Sequence, residues 1–344
     1  MKKLSNYNLI IIAVIFCFAA IILSTTIGIA GISFTNTMKI LIGKMFNINL
    51  KLGDIKDSTI AIVWLIRFPR VILAFFVGGA LAICGASYQG IFKNPMADPF
   101  ILGVSSGAAL GATIGIMTKL DFYVLGLNAI SILAFIGAVV SLFIVYNVSK
   151  VGRKVPVTTL LLSGIAISQL LSALISLCMI FTNNNDFQSI IFWTMGSFNS
   201  KSWSQLIMVA PYVIIGFIII YSSNREMDIM LLGEDTASQL GVDTEKLKLK
   251  ILITTAFVTA AAVSVTGIIG FVGLIIPHIV RIITGPKHKV LLPYSFIVGG
   301  IFMIVCDTIA RSIINQEIPV GIITALFGGP FFVFLLKRRA GGGI

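Results

Sequence analysis

The sequence predicts an all-α, polytopic membrane protein with about ten transmembrane helices, and three observations predict it. Of the 344 residues, 57% are hydrophobic and 11% charged, with a mean hydropathy of +1.04, which leaves too little polar surface to wrap a soluble core. The apolar residues stand in unbroken runs of about 18 to 28, the length a helix needs to cross roughly 30 Å of hydrocarbon. They do not form segments of about ten residues alternating in polarity, as a membrane β-barrel requires.

Hydropathy and turn signals place the spans at about 9–32, 60–90, 100–118, 128–148, 157–180, 204–222, 249–267, 268–284, 292–313 and 320–336. Lys2 and Lys3 ahead of the first run resemble the start of a signal peptide, but the run from Leu9 to Ile32 is longer than a usual signal core and reads as an uncleaved span. The seventh and eighth spans share one run, Ile251 to Ile283, too long for a single crossing, and Gly267, Gly270 and Gly273 mark the expected reversal. An even number of spans puts both termini on one side. With that side cytoplasmic, the inner segments hold Lys2, Lys3, Lys93, Lys150, Arg153, Lys154, Arg225, Lys246, Lys248, Lys250, Arg281, Lys287, Lys289, Lys337, Arg338 and Arg339, sixteen of the 25 Lys and Arg. Four more lie in the first outer loop, between Lys39 and Lys56. The excess of inner positive charge supports a multi-pass protein of the cell membrane with cytoplasmic termini.

No short-period repeat or large soluble insertion interrupts the chain, so residues 1–344 read as one membrane domain. Its longest inner loop runs from Ser223 to Lys250. There Gly233 punctuates, and Glu234 and Asp235 suit the first turn of a short helix, so one or two short helices and a protein contact surface are expected.

Several function classes are excluded. The net charge of +12 does not mark a nucleic-acid binder, because its Lys and Arg sit between spans rather than on one face with aromatics interleaved. Cys17, Cys84, Cys178 and Cys306 all fall inside apolar runs without CxxC spacing and read as small hydrophobes. His278 and His288 have no ligand-type residue at metal spacing. Phosphate-loop, nucleophile-elbow and zinc-hydrolase motifs are lacking, so the chain is expected to be neither an enzyme nor a holder of a cofactor or metal. Asp307 is the one carboxylate deep in a predicted span, too few for the relay of a proton-coupled carrier.

Three constellations stand out. Gly103, Gly107, Gly111 and Gly115 line one face of the third span, and Gly78, Ala82, Ala86 and Gly90 repeat the spacing in the second. Such faces let backbones approach closely, for helix packing or for lining a pore. Arg67 and Arg70 share a helix face with Pro69 between them, which predicts a regular helix beginning near Pro69 and both guanidinium groups at the outer mouth. There they either reach lipid headgroups or receive carboxylates from an outside partner. Asp307 and Arg311 are four apart, which allows either mutual neutralisation or an aspartate that orients an arginine in the outer basic set.

The run RFPRVILAFFVGGALAICGASYQGIFKNPMADPFILGVSSGA at 67–108 resembles the hallmark of the permeases of cobalamin, iron-siderophore and haem ABC importers, the FecCD family. Further matches follow in order: LLLSGIAIS at 160–168, FWTMGSF at 192–198, LGEDTASQLGV at 232–242, GFVGLIIPHIVR at 270–281, CDTIAR at 306–311 and EIPVGIITALFGGPFFVFLL at 317–336. The resemblance implies a permease paired with a second copy or a paralogue, two cytoplasmic ATPase subunits that use ATP, and an extracytoplasmic substrate-binding protein. It implies that Arg67, Arg70 and Arg311 receive the binding protein's glutamates. It also implies that the segment holding Met227, Leu232, Gly233, Glu234, Asp235, Gln239, Leu240 and Gly241 couples to the ATPase. Thr158 and Thr159 fall where the family places its inner gate, although Val157 stands where a polar residue is expected. The expected cargo is an iron chelate, ferric siderophore or haem, with cobalamin as the alternative and a secondary transporter as the rival class.

Overall fold

The computed structural model describes residues 6–340, apart from 29, 49–52, 54, 125, 153, 314 and 315. Its helices are α1 (Asn6–Thr26), α2 (Phe34–Phe46), α3 (Asp57–Ile91), α4 (Val104–Thr118), α5 (Ala129–Ser149), α6 (Val157–Ile180), α7 (Asn184–Thr194), α8 (Trp203–Ser222), α9 (Asn224–Met230), α10 (Glu234–Gln239), α11 (Thr244–Thr266), α12 (Val272–Thr284), α13 (His288–Ser312) and α14 (Val320–Ala340). Six of them, α3, α5, α6, α8, α11 and α13, are long and apolar enough to cross a bilayer, and α1, α4, α12 and α14 add shorter apolar stretches. That agrees with about ten spans. Lys2, Lys3 and Arg153, counted among the inner basic residues, lie outside the described residues, as do the side chains of Arg338 and Arg339.

Two short helices were not legible in the hydropathy. Helix α2 lies in the loop between α1 and α3, its start capped by Ser33, whose hydroxyl accepts from the Asn36 amide at 3.3 Å. It buries Thr37, Ile40 and Leu41 and turns Lys39 and Lys44 to the outside. Helix α7 is capped the same way by Asn183. Both lie along the protein surface with one polar face, so neither produces an apolar run.

The regular α-helical part of α3 runs Phe68–Ile91 with Pro69 in its first turn, as expected, but the helix continues back to Asp57, twelve residues before Pro69. A π-helical segment, Ile62–Arg67, makes this continuity possible. The Phe68 amide bonds back five residues to the Val63 carbonyl, and Pro69, next in line, has no amide to give to Trp64. The orphaned Trp64 carbonyl instead accepts the Trp203 indole N–H at 2.8 Å. Trp64, Phe68 and Trp203 stack their rings at 5.2–5.8 Å around this bond.

From Phe68 to Ile91 nearly every residue of α3 is buried, because α13, α12, α8 and α11 surround it. The close approaches occur at glycine. Gly78 faces the Gly299 carbonyl of α13, and Gly85 faces the Gly273 carbonyl of α12, where any Cβ would meet backbone. Helices α4 and α5 meet likewise: Gly107 sits against Gly137, Gly111 against the Leu133 carbonyl, and Gly115 against Ile130. The Ser141 hydroxyl donates to the Gly103 carbonyl at 2.7 Å across the same seam. In lipid, where apolar burial between helices gives no advantage, such van der Waals closeness holds helices together.

The reversal between α11 and α12 falls at Gly267–Phe271, with positive φ at Gly267 (74°) and Phe271 (70°). Helix α12 keeps only 13 residues. Helix α1 stops at Thr26 rather than near 32, and α4 is preceded by a 3-10 turn, Pro99–Leu102, capped by Asp98. A two-stranded hairpin, β1 (Tyr123–Val124) with β2 (Leu127–Asn128), joins α4 to α5.

Gly111→Leu drives a side chain into the α5 backbone and is expected to destabilise by about 1–3 kcal/mol or more, whereas Gly329→Ala, with open space around it, is expected to be nearly neutral. Thermal unfolding of the purified protein in detergent measures both.

Candidate functional site

The three arginines singled out in the sequence come together, but facing inward. Arg67, Arg70 and Arg311 are 6%, 5% and 5% exposed. Helix α1 has no basic residue in its last turn, so its final carbonyls lack partners of their own. Arg67 donates to the carbonyls of Thr26 at 2.8 Å, Thr25 at 3.4 Å and Ala30 at 2.7 Å. Arg311 donates to the Ile27 carbonyl at 2.9 Å, to the Ser24 hydroxyl at 2.8 Å and to the Ser24 carbonyl. Two cations thus cap the negative end of the α1 dipole. Gly28 leaves room for the Arg67 guanidinium, which any Cβ there would strike.

Arg70 serves a different purpose. Its Nη2 pairs with Asp307 at 2.8 Å, its Nε reaches both Asp307 oxygens at 3.1 Å, and its Nη1 holds Glu317 at 2.9 and 3.0 Å. The planar fork suits two carboxylates at once. Asp307 is therefore held by Arg70 of α3 first, and the expected pairing with Arg311 is a looser contact at 3.6 Å. The partners that membrane burial demands are supplied within the chain, so neither lipid headgroups nor an outside partner is needed to satisfy these groups. Glu317, Ser24 and the α1 carbonyls were missed, because 237 and 247 residues separate Arg70 from its two carboxylates.

Beside this cluster opens a cavity of about 690 Å³, lined by Trp193, Asn199, Lys201, Thr266, Gln316 and Glu317 among others. Burial and the charge of Arg70 hold the Lys201 ammonium below its ordinary pKa. A second cavity, about 510 Å³, lies between the Asp98–Ile101 turn, Ser168 and Gln169 of α6, Phe271, and Phe332 of α14.

The loop between α8 and α11, expected on the inner side, forms α9 and α10. Met227 and Met230 are fully buried and anchor α9, so Met227 is not part of an accessible contact surface. Gly233, with φ 126°, turns the chain into α10, where Ala237 alone is buried. Leu232 and Leu240 are 64% and 58% exposed, flanking Glu234, Asp235 and Gln239, with Gly241 exposed just beyond. Asp228 of α9 binds His288 through the ring Nδ1 at 2.7 Å and the amide at 2.8 Å. Burial raises the Asp228 pKa, but these hydrogen bonds and the nearby positive charge outweigh it and leave it below the usual carboxylate value. His288 is thus the buried first residue of α13 rather than a loop residue.

Thr158 and Thr159 occupy the first turn of α6, Thr158 exposed and Thr159 half-buried. Much of α6 faces away from the rest of the chain, and along one of its faces run Thr158, Gln169, Ser172 and Ser176, all exposed. Among the described residues no group of three or more His, Cys, Asp or Glu could hold a metal ion.

Ten apolar helices among the described residues, with a buried charge cluster between them, define a multi-pass membrane protein. The chain belongs to the FecCD transport family, whose profile matches residues 12–338. It is 44% identical over 285 residues to the cobalamin import system permease protein of Halobacterium salinarum, covering 83% of this chain and 76% of that one. It is 37% identical over 282 residues to the hemin transport system permease protein of Yersinia pestis, covering 80% and 84%. A solved inward-facing conformation of a metal-chelate type ABC transporter superposes with a TM-score of 0.84 at 30% identity, covering 96% of this chain and 99% of that one. The protein is an ABC importer permease of this family.

Arg70→Met removes the main partner of a buried aspartate and is expected to cost about 3–5 kcal/mol. Arg70→Lys is expected to restore only part of that, since one ammonium cannot reproduce the fork. Both are read by thermal unfolding. Because Asp228 titrates low in the fold, its stabilisation is present above the unfolded carboxylate pKa and lost as pH falls through the folded value. An Asp228→Asn variant is therefore expected to differ most from the parent near neutral pH and least in acid, which unfolding scans across pH follow.

Proposed function

We propose that this permease imports a metal chelate, ferric siderophore or haem, by alternating access along a path shared with a second permease copy or a close paralogue. One observation carries the reading: an exposed stripe on α6 in which Thr158, Gln169, Ser172 and Ser176 are interspersed with Leu162 and Ile165. A side-chain amide turned to lipid leaves polar atoms unsatisfied, whereas a partner helix or a wet path satisfies them. The 510 Å³ cavity opens beside the stripe at Ser168 and Gln169. The 690 Å³ cavity beside the arginine cluster supplies a mouth on the outer side, and Thr158 and Thr159 supply the inner gate. Cobalamin is the second reading, favoured by the 44% identity to a cobalamin permease.

In this reading α10 is the ATPase contact. Leu232 and Leu240 provide apolar anchors, and Gly233, Glu234, Asp235, Gln239 and Gly241 shape the rim, while the two ATPase subunits bind and hydrolyse the ATP. The chain itself carries no cofactor, and both termini face the cytoplasm. At the outer face, Arg67, Arg70, Arg311 and Lys201 are balanced among the described residues by Asp307 and Glu317. The surplus positive charge suits acidic groups on a substrate-binding protein. Since the arginines are committed internally, the rim residues Lys201 and Gln316 are the accessible contacts.

Leu232→Ala with Leu240→Ala is expected to weaken ATPase capture by about tenfold or more in a pull-down, and unchanged capture would remove α10 as the contact. Lys201→Glu with Gln316→Glu is expected to slow binding-protein association several-fold at low salt without altering ATPase capture; unchanged kinetics would refute the outer rim as the docking face. Uptake of labelled haem, ferric siderophore and cobalamin into vesicles holding the full transporter decides the cargo.

A further inference from the structure

Lys248, on the second turn of α11, is 3% exposed. Its ammonium meets three groups from three segments: Glu234 Oε2 at the start of α10 at 3.1 Å, Glu245 Oε1 of α11 at 2.6 Å, and the Val155 carbonyl at 3.3 Å. The other Glu245 oxygen accepts the Val155 amide at 3.1 Å. Both backbone groups of Val155 are therefore held by this one pair. Val155 is itself buried, and Pro156, whose φ the ring fixes, is the cap from which α6 starts. Thr158 and Thr159 follow within one turn.

We propose that Lys248 is a positioning residue that passes a displacement of α10 to the root of α6. The inference rests on reading α10 as the ATPase contact. Two carboxylates share one ammonium, and they are not equivalent. Glu245 is nearer and lies on the same helix, whereas Glu234 is half-exposed on the short, glycine-hinged helix α10. When α10 is drawn away, Glu234 leaves and Lys248 stays with Glu245. A cavity of about 150 Å³, lined by Tyr146, Val155, Glu245, Lys248, Leu249 and Leu252, gives the side chain somewhere to go. The bond to the Val155 carbonyl, the longest of the three, is the one released, so the root of α6 keeps only the Glu245 bond to the Val155 amide and tilts more easily. Two discrete pairings of one buried cation form a two-state element that both ends can bias.

The test uses the full transporter with its ATPase in vesicles, in a background with the native cysteines replaced. The thiol introduced by T158C reports on the gate through its rate of reaction with a membrane-impermeant maleimide. In the parent, trapping with ATP and vanadate is expected to change that rate by about 2- to 30-fold, the range of coupling energies carried by such networks. Lys248→Met and Glu245→Gln are expected to keep ATPase capture and hydrolysis yet lose most of the nucleotide response, and Lys248→Arg is expected to recover it. The Glu245 side chain is 31% exposed, so Glu245→Gln keeps the test decisive if Lys248→Met fails to fold. Parent-like nucleotide responses in both variants, or no response in the parent while ATPase is captured, would overturn the inference. Failure of the α10 reading shows separately, as intact capture by the Leu232 and Leu240 variant.

Discussion

The structure depends on one constraint: within a bilayer, neither a charge nor a helix end can be left to water. Helix α1 ends without a basic residue in its last turn, and its last carbonyls are answered by Arg67 from α3 and Arg311 from α13. Asp307 and Glu317 are answered by Arg70. These four pairings fasten the first, third and thirteenth helices and the segment before the last into one cluster. Around it the remaining contacts are apolar, and their closeness is set by where glycine stands.

That division explains the construction of the centre. Helix α3 is buried on nearly every side and touches its neighbours through missing side chains, at Gly78, Gly85 and Gly90. Glycine and charge do complementary work. Glycine lets backbones meet without a directional bond, and the arginines add the directional bonds that fix rotation and register. Near the other end of α3, Gln89 repeats the device, donating to the carbonyls of Gly273 and Leu274 and accepting from Arg281.

Much of this was legible in the sequence, and the rest has identifiable reasons for being hidden. The spans and the break at Gly267 follow from hydropathy and glycine, because lipid enforces length and apolarity directly. The glycine faces could be seen at their four-residue period, though their partners α5 and α13 could not. Helices α2 and α7 escaped because an amphipathic helix on a surface has no apolar run. Pro69 marks the first turn of the regular helix, but nothing in the sequence shows that a π-turn carries the helix back to Asp57. The arginines were rightly marked as needing partners. Which partners they have could not be read, since Asp307 and Glu317 are more than two hundred residues away and meet Arg70 only once the helices have packed.

The π-turn at Ile62–Arg67 has a consequence for descent with modification. It holds one residue more than an α-turn would, and an α-helix rotates by about 100° for every residue. Loss of any single residue there would let the helix relax to ordinary winding and leave its outer stretch out of phase with the arginines. Trp64 would swing away from Trp203, and Arg67 and Arg70 would no longer keep their bearing to the residues ahead of them. Exposed loops tolerate insertions and deletions more readily, but this six-residue stretch behaves as a reading frame, intolerant of a changed count.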